Sequence, residues 1–389
     1  MKVAMVFDGI GFGGIERVGI NYVRLFKDLG HEVDIYNLKP EKNEMEKELD
    51  GEYKIFHYKY SNLFMPDYYM LIVKRWRWGK YVYPFIYIIS SILMYGYRLL
   101  LGNCKKYDIA IAFSGHFRDL SFVAYNFVRG SKKICWLHGA LMEYLVLSCT
   151  FGNLYEKIKN LCVLSEDRQE AALDANKYLI DKLNIHKIYN PINTNKREID
   201  KEKCKNIKKT FGNYILMIGR FEMDKDQKTV IRAYKILKEK YRCMENLVFV
   251  GDGSTLQECK ELTIELELQE NIFFVGAQYD VENYYSTAQV FIHSSKAEGL
   301  PTVLLEAMVY EIPIVATDSP PGVSEILGNN QYGLKCAIAN PEDMADKIHM
   351  MLIDQMLSKS YVELGKEKVR EFGYDHIEKQ LNNILHCLI

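Results

Sequence analysis

Two acids and two bases mark where this chain concentrates groups able to do chemistry. Glu298 and Glu306 stand with seven residues between them in "SSKAEGLPTVLLEAMVYEIPIVATDSPPGVSEIL", residues 294–327. The stretch reads as the end of a strand ("VFIHSS"), an exit loop ("KAEGLP") and a helix ("PTVLLEAMVYE") with Pro301 in its first turn. The helix start, Gly299, Leu300, Pro301, Thr302 and Val303, offers unpaired N–H groups at the positive dipole end, which suits a phosphate. The two acids beside it are either a general acid and base or acceptors for the hydroxyls of a sugar-like ligand. A helix N-terminus between them favours the second. The plain alternative is a loop charge and an ordinary helix residue. Arg220 and Lys225 leave the strand "YILMI" in "GRFEMDK". They suit a diphosphate, the guanidinium gripping oxygens in pairs and the ammonium acting as a mobile charge; alone, each is equally an exposed loop base. Asp224 and Asp226 flank Lys225 as D-x-D, a pattern that can hold a divalent ion on a diphosphate. The lysine between them competes for that role, so no metal ligand is assigned and the acids read as solvated helix-capping residues. Gly251 and Gly253 in "VFVGDGS" permit close backbone approach, to a ligand or simply within a tight turn.

The elements that must position these residues alternate along the chain. "KVAMVF", a glycine loop, and "IERVGINYVRLFKDLG" read as strand, loop and helix, with Gly30 stopping the helix. "EVDIYNL", "DIAIAFS", "KICWLH", "LCVLS" and "IHKIYNPI" are continuous apolar runs, as in parallel strands covered on both faces. After a polar, lysine-rich stretch over 193–213, the series resumes with "YILMIGRF", "NLVFVGDG", "NIFFVG", "VFIHSS", "PIVATD" and "GLKCA". Two doubly wound α/β domains in tandem are predicted, 1–192 and 193–370, with a helical tail over 371–389. Ligands in such sheets sit beyond the carboxyl ends of strands.

Charge is unevenly spread. Glu52–Lys133 carries thirteen Lys and Arg against four acids, while the whole chain of 389 residues has a net charge of −1. One lobe therefore faces something anionic. A nucleic acid is not favoured, because no recognition motif accompanies the bases and they are mixed with a long apolar run. Nine cysteines without a C-x-x-C pair suit free thiols in a reducing compartment, and the N-terminal "MKVAMVF" enters a strand rather than a signal peptide. "YVYPFIYIISSILMYGYRLLL", residues 81–101, is long enough to cross a bilayer. It reads as a buried helix, as a helix lying in a membrane interface, or as a span.

The motifs in this order resemble the retaining GT-B glycosyltransferases, specifically family 4. "EGLPTVLLEA" is similar to the family's E-x7-E element, and "GGIERV", "WLHG", "NPI", "GRFEMDK", "VGDG", "FFVGAQ", "PIVATDSPPGVSEIL", "YGL" and "FGYDHIEKQLNNIL" extend the likeness over nearly the whole chain. The resemblance implies two Rossmann-like domains facing across a cleft, with the last helix crossing back to the first domain. It gives Arg220 and Lys225 the donor diphosphate, Glu298 the donor sugar's hydroxyls and Glu306 the nucleotide ribose. Gly13 and Gly14 fall at the first domain's glycine loop, and His138 faces the donor sugar, where the residue alone reads as a buried structural histidine. Gly251, Gly253, Val275 and the 299–303 helix start complete the donor set. Two departures stand out: Asp226 replaces a common Gly or Asn, and Tyr310 and Glu311 replace small residues after the E-x7-E helix.

The implied reaction moves a sugar from a nucleotide diphosphate, UDP by family frequency, to an acceptor hydroxyl, with retention, no metal and no cofactor beyond the donor. Many relatives act on polyprenyl-diphosphate-linked sugars. The basic, aromatic first lobe, Lys74, Arg75, Trp76, Arg77, Trp78 and Lys80, with His116 and Arg118, is accordingly assigned to a lipid-linked saccharide acceptor and an anionic membrane surface. The expected location is the cytoplasmic face of the cell membrane, in surface polysaccharide or glycan assembly, with the membrane-facing helix near 76–106. A non-catalytic membrane-associated GT-B partner and a nucleotide-sugar epimerase are the alternatives. A glycogen-type synthase is disfavoured by the apolar first lobe.

Overall fold

The computed structural model describes residues 1–11, 13–49, 53–70, 76–101, 105–138, 149–164 and 182–388. Backbone packing divides the chain into two units, Met1–Pro191 with Ile377–Ile389, and Ile192–His376. The sequence reading set its divisions at 192/193 and 370/371.

The first unit runs β1 (Lys2–Phe7), α1 (Gly14–Asp28), β2 (Glu32–Asn37), β3 (Lys54–His57), α2 (Gly79–Leu101), β4 (Lys106–Ala112), α3 (Phe117–Ala124), β5 (Arg129–Trp136), α4 (Cys149–Ile158), β6 (Lys159–Val163) and β7 (Asn184–Lys187). Its strands, among the described residues, form one parallel sheet ordered β3-β2-β1-β4-β5-β6-β7. The second unit runs α5 (Lys201–Phe211), β8 (Tyr214–Ile218), α6 (Gln227–Tyr241), β9 (Asn246–Val250), α7 (Leu256–Glu265), β10 (Ile272–Phe274), α8 (Glu282–Tyr285), β11 (Val290–His293), α9 (Thr302–Val309), β12 (Ile314–Thr317), α10 (Gly322–Leu327), β13 (Leu334–Cys336), α11 (Pro341–Ile353) and α12 (Gln355–Val369). Its parallel sheet is ordered β10-β9-β8-β11-β12-β13. Helix α13 (Tyr374–Leu388) closes the chain.

The apolar runs become strands because both faces of each sheet are covered. β1 is buried from Val3 to Phe7, and β11 along its whole length. In both units the strand order reverses direction beside the first strand, between β1 and β4 and between β8 and β11. Neighbouring loops there diverge to opposite faces of the sheet and leave a crevice at the strands' carboxyl ends. The lysine-rich 193–213 stretch, expected from the sequence to be the linker region, contains a helix of the second unit. Asp200 caps α5 by accepting from the N–H groups of Glu202 and Lys203, and Ile207 and Phe211 anchor the helix in the second unit. β3 was not anticipated: "KIFH" is a four-residue edge strand without a fully buried position.

Helix α2 removes one of the three readings of residues 81–101. It is not a core helix, since only Gly79 and Ser90 are buried. One stripe, including Met94, Tyr97 and Leu101, packs on the first unit's core.

Some positions admit glycine alone for reasons of contact. A Cβ on Gly251 (φ +144°) would lie 2.0 Å from the Gly219 carbonyl oxygen, whereas one on Gly96, within α2, would meet nothing within 4 Å. Gly251→Ala is therefore expected to destabilise the second unit by about 3 kcal/mol. Gly96→Ala should leave stability unchanged or raise it by about 0.5–1 kcal/mol. Urea unfolding of the two variants checks both signs.

Candidate functional site

The second unit brings the sequence-predicted bases and acids together at its crevice. β8 and β11 are hydrogen-bonded neighbours, so their exit loops, 219–226 and 294–301, start side by side. The first loop is held from several directions. Gly219 and Phe221 donate backbone N–H groups to Val250 and Asp252, and the buried Gln227 side chain donates to the Arg220 carbonyl at 2.8 Å. Ser294 Oγ donates to the Lys225 carbonyl at 2.6 Å, and Lys296 N–H to the Asp224 carbonyl at 2.8 Å. Gly251 and Gly253 serve this loop directly, because a Cβ on either would strike the Gly219 or Phe221 carbonyl. They were assigned to the donor; their observed contacts are with the loop that carries Arg220. Val275 lies at the β10 exit, half-buried, donating its N–H to Phe249.

Glu298 is the centre of the site. Its Oε1 accepts from Lys225 Nζ at 2.5 Å and from Ser295 Oγ at 2.5 Å. His293 Nε2 lies 3.1 Å away, at the edge of hydrogen-bond alignment. Oε2 accepts no hydrogen bond among the described residues. Burial pushes the Glu298 carboxyl up, but His293 and Lys225 outweigh it and hold the group at about 2. The backbone is clamped as well: Glu298 N–H donates to Pro320, and Gly322 N–H to Glu298. Gly322 allows this, since a Cβ there would lie 2.2 Å from the Gly299 carbonyl oxygen.

His293 was missed by the sequence reading. It closes β11 and is nearly fully buried. Its signal was the one ionisable residue in an otherwise apolar strand, five positions before Glu298.

Pro301 is the residue that caps α9, not a member of its first turn, and Thr302 begins the helix. Glu306 is half-buried and its Oε2 accepts from the buried Tyr285 hydroxyl at 3.0 Å. Tyr310 stacks on Tyr285 with the ring planes 1° apart, and its hydroxyl accepts from the Arg197 N–H at 3.1 Å. Glu311 pairs with Lys196 and, at 2.9 Å, with Lys366. The unusual Tyr310 and Glu311 thus fasten residues 196 and 197 and α12 to the end of α9. Asp226 is likewise explained: at φ +46° it occupies the left-handed region that Gly, Asn and Asp favour. Its carboxylate accepts from Thr229 Oγ1 at 2.8 Å. Arg220 is exposed, and its guanidinium makes no ion pair among the described residues.

In the first unit, α1 begins at Gly14, with Gly13 as its extended capping residue. Across the β1–β4 crevice, Asp8 pairs with Lys39 at 2.7 Å, His116 Nδ1 at 3.3 Å and Arg118 Nε at 3.6 Å. Bonding to Asp8 raises the His116 pKa. The buried Asp119 takes the Gly115 N–H at 2.9 Å, and burial pushes it up to about 7. His138 follows β5. Its Nε2 donates to the Phe113 carbonyl at 2.7 Å, leaving Nδ1 buried with no partner among the described residues. Burial lowers it to about 4, so at neutral pH the ring is uncharged and Nδ1 is an acceptor. Trp76, Arg77, Trp78 and Lys80 are exposed at the start of α2; Lys74 and Arg75 lie outside the described residues.

Two Rossmann-like α/β units, each with its polar cluster at the reversal of its sheet, define the GT-B class of fold. Residues 198–368 match the family model for glycosyl transferases group 1. An N-acetylgalactosamine-N,N'-diacetylbacillosaminyl-diphospho-undecaprenol 4-alpha-N-acetylgalactosaminyltransferase of Campylobacter jejuni is 30% identical over 159 residues, 41% of this chain and 42% of that protein. The amylovoran biosynthesis glycosyltransferase AmsD of Erwinia amylovora is 28% identical over 174 residues, 45% of this chain and 48% of its own. The matched segment thus spans less than half the length of either relative. Anabaena Alr3699/HepE, solved in complex with UDP and glucose, superposes with a TM-score of 0.72 at 17% identity, each chain covered over 100% of its length.

The Glu298 contacts carry a measurable consequence. A carboxyl depressed from 4.5 to about 2 stabilises the fold at every pH above its unfolded value and loses that contribution as pH falls from about 4.5 towards 2. His293→Phe and Lys225→Met should each raise the Glu298 pKa and move the acid unfolding midpoint upward. Carboxyl-carbon NMR titration reads the first effect, and acid denaturation the second. An unmoved Glu298 in both variants would show that other groups set its charge.

Proposed function

We propose that the protein transfers a sugar, with retention of anomeric configuration, from a nucleoside diphosphate sugar to a hydroxyl of a lipid-linked saccharide. The observation that carries this reading is the meeting of Lys225 and Glu298 at the β8–β11 crevice within the segment matched by the group 1 glycosyl transferases. UDP is the preferred donor nucleotide, supported by the UDP-bound fold relative. The Campylobacter protein's diphospho-undecaprenol acceptor and the amylovoran protein's role in polysaccharide synthesis support the acceptor class. The same reading places the protein at the cytoplasmic face of a membrane.

In this mechanism the greatest developing charge falls on the departing diphosphate. Arg220 brings an exposed guanidinium and Lys225 an ammonium already held by Glu298, and the start of α9 contributes its dipole. Preorganised charges of this kind need no reorganisation as the bond breaks. Glu298, saturated on Oε1, offers Oε2 to the sugar hydroxyls, while Glu306 is held for the ribose. A phosphate oxygen takes the acceptor proton as attack comes from the leaving group's own face, so no protein nucleophile is assigned. The electrostatic set replaces a metal ion.

Arg220→Ala and Lys225→Ala are each expected to lower kcat by about 10²–10³-fold, and Glu298→Ala to act comparably through lost sugar orientation. Steady-state transfer from UDP-sugars to a polyprenyl-diphosphate saccharide, run with EDTA and with NMR of the product anomer, is the test. Near-native rates in both cation variants would overturn the assignment. An inverted product or loss of activity in EDTA would overturn the retaining, metal-free mechanism, and a freed epimeric nucleotide sugar would favour the epimerase.

A further inference from the structure

Helix α2 presents a surface that the sugar-transfer site does not use. Its contacts with the first unit run along one stripe: Gly79, Tyr83, Ile86, Ser90, Met94, Tyr97 and Leu101, spaced three or four apart. Two tyrosines of this stripe are hydrogen-bonded to the first unit. Tyr83 Oη donates to the Pro66 carbonyl at 3.5 Å, Tyr97 Oη donates to the Lys59 carbonyl at 3.3 Å, and Ser61 N–H donates to that same hydroxyl at 3.1 Å. The rest of the circumference is apolar and open. Phe85, Ile88, Ile92 and Leu99 are each more than half exposed, and Leu100 is 86% exposed. The helix is long and apolar enough to cross a membrane, yet only 6% of its most apolar window is buried.

We infer that α2 lies in the plane of an anionic lipid bilayer, sunk into one leaflet on its open sides and clamped to the first unit on the fourth. The clamp argues against a span, because a helix attached to a folded unit at both its halves must break those contacts to cross the hydrocarbon. The occupant is chosen by charge. Residues 68–107 hold seven Lys and Arg and no acid. Exposed Trp76, Arg77, Trp78 and Lys80 stand at the start of the helix, and exposed Lys106 follows its end, beside Lys105, which pairs with Asp34 at 3.0 Å. Tryptophans and bases at the ends of an apolar helix match the headgroup level, and the bases match anionic lipid. Arg98, the one base within the last turns, is turned away from the apolar face, donating to the Tyr125 carbonyl at 3.5 Å and lying over the Tyr95 ring. The Ser90 hydroxyl donates to the Ile86 carbonyl at 2.6 Å. A second copy of the chain would set this base-rich segment against itself. Interfacial helices of this kind sink roughly 5–10 Å, within reach of the open sides of one helix about 10–12 Å across.

The inference deepens the peripheral-membrane part of the proposed function and is tested apart from it, without any sugar donor. The full chain is floated with vesicles of phosphatidylglycerol and phosphatidylcholine, and with phosphatidylcholine alone. Binding to the mixed vesicles only is expected. Ile88→Glu with Ile92→Glu should lower partitioning about a hundredfold with an unchanged melting temperature, since neither side chain is buried. In a Trp76→Phe, Trp78→Phe background, Trp placed at 85, 92 or 99 reads depth through lipids brominated along the acyl chain. Equal, shallow quenching at all three supports the in-plane helix. Quenching that deepens from one end to the other would establish a span. Absence of flotation, equal binding to neutral vesicles, or dimerisation abolished by the glutamate pair would each overturn the proposal. Loss of vesicle binding with transfer to a soluble acceptor intact would leave the sugar-transfer reading standing, and binding without transfer would leave this one.

Discussion

The second unit depends on a single carboxylate oxygen. Glu298 Oε1 receives an ammonium, a hydroxyl and the edge of an imidazole, and the groups come from the exits of two neighbouring strands. Burying a carboxylate costs several kcal/mol unless its partners are in place. The pair with Lys225 therefore works in two directions: the charge keeps the loops together, and the loops keep the charge tolerable. The other oxygen accepts no hydrogen bond among the described residues. Loop rigidity here comes from closed backbone and side-chain bonds at Gln227, Ser294 and Gly322, which fix the backbone from which Arg220 and Lys225 project.

The first unit repeats the topology with different chemistry. At its own reversal point one acid, Asp8, gathers Lys39, His116 and Arg118. Beside this cluster Asp119 and His138 are each pushed towards the neutral form by burial. The arrangement is a fixed-dipole environment with little free charge, in contrast to the exposed guanidinium of the second unit. Equivalent places in two similar sheets thus hold complementary equipment, because the sheet dictates where loops converge but not what they carry.

Helix α2 is the point at which the fold conflicts with water. Its open faces would expose a contiguous apolar surface larger than single scattered side chains account for. The sequence permitted three descriptions because hydropathy measures composition and is blind to which residues face a neighbour. The stripe of contacts, spaced for one face of a helix and leaving the other sides open, removes the buried core helix.

Much of the site was legible because a doubly wound sheet obliges functional loops to follow strands. Arg220 and Lys225, Glu298 and Glu306 could be marked from their places after "YILMI" and "VFIHSS", and the continuous apolar runs marked the strands themselves. β3 escaped because an edge strand lacks the buried run, and His293 because its role depends on a loop that turns back over it. Gly251 and Gly253 could be seen as points of close approach, but not against what. By itself, then, the sequence determined the strands, the loops after them and the identity of the charged groups, since these follow from local periodicity and chemistry. Tertiary structure decided which groups meet. Lys225 and Glu298 are 73 residues apart, and they touch because β11 pairs with β8, a choice of strand order that no local pattern encodes.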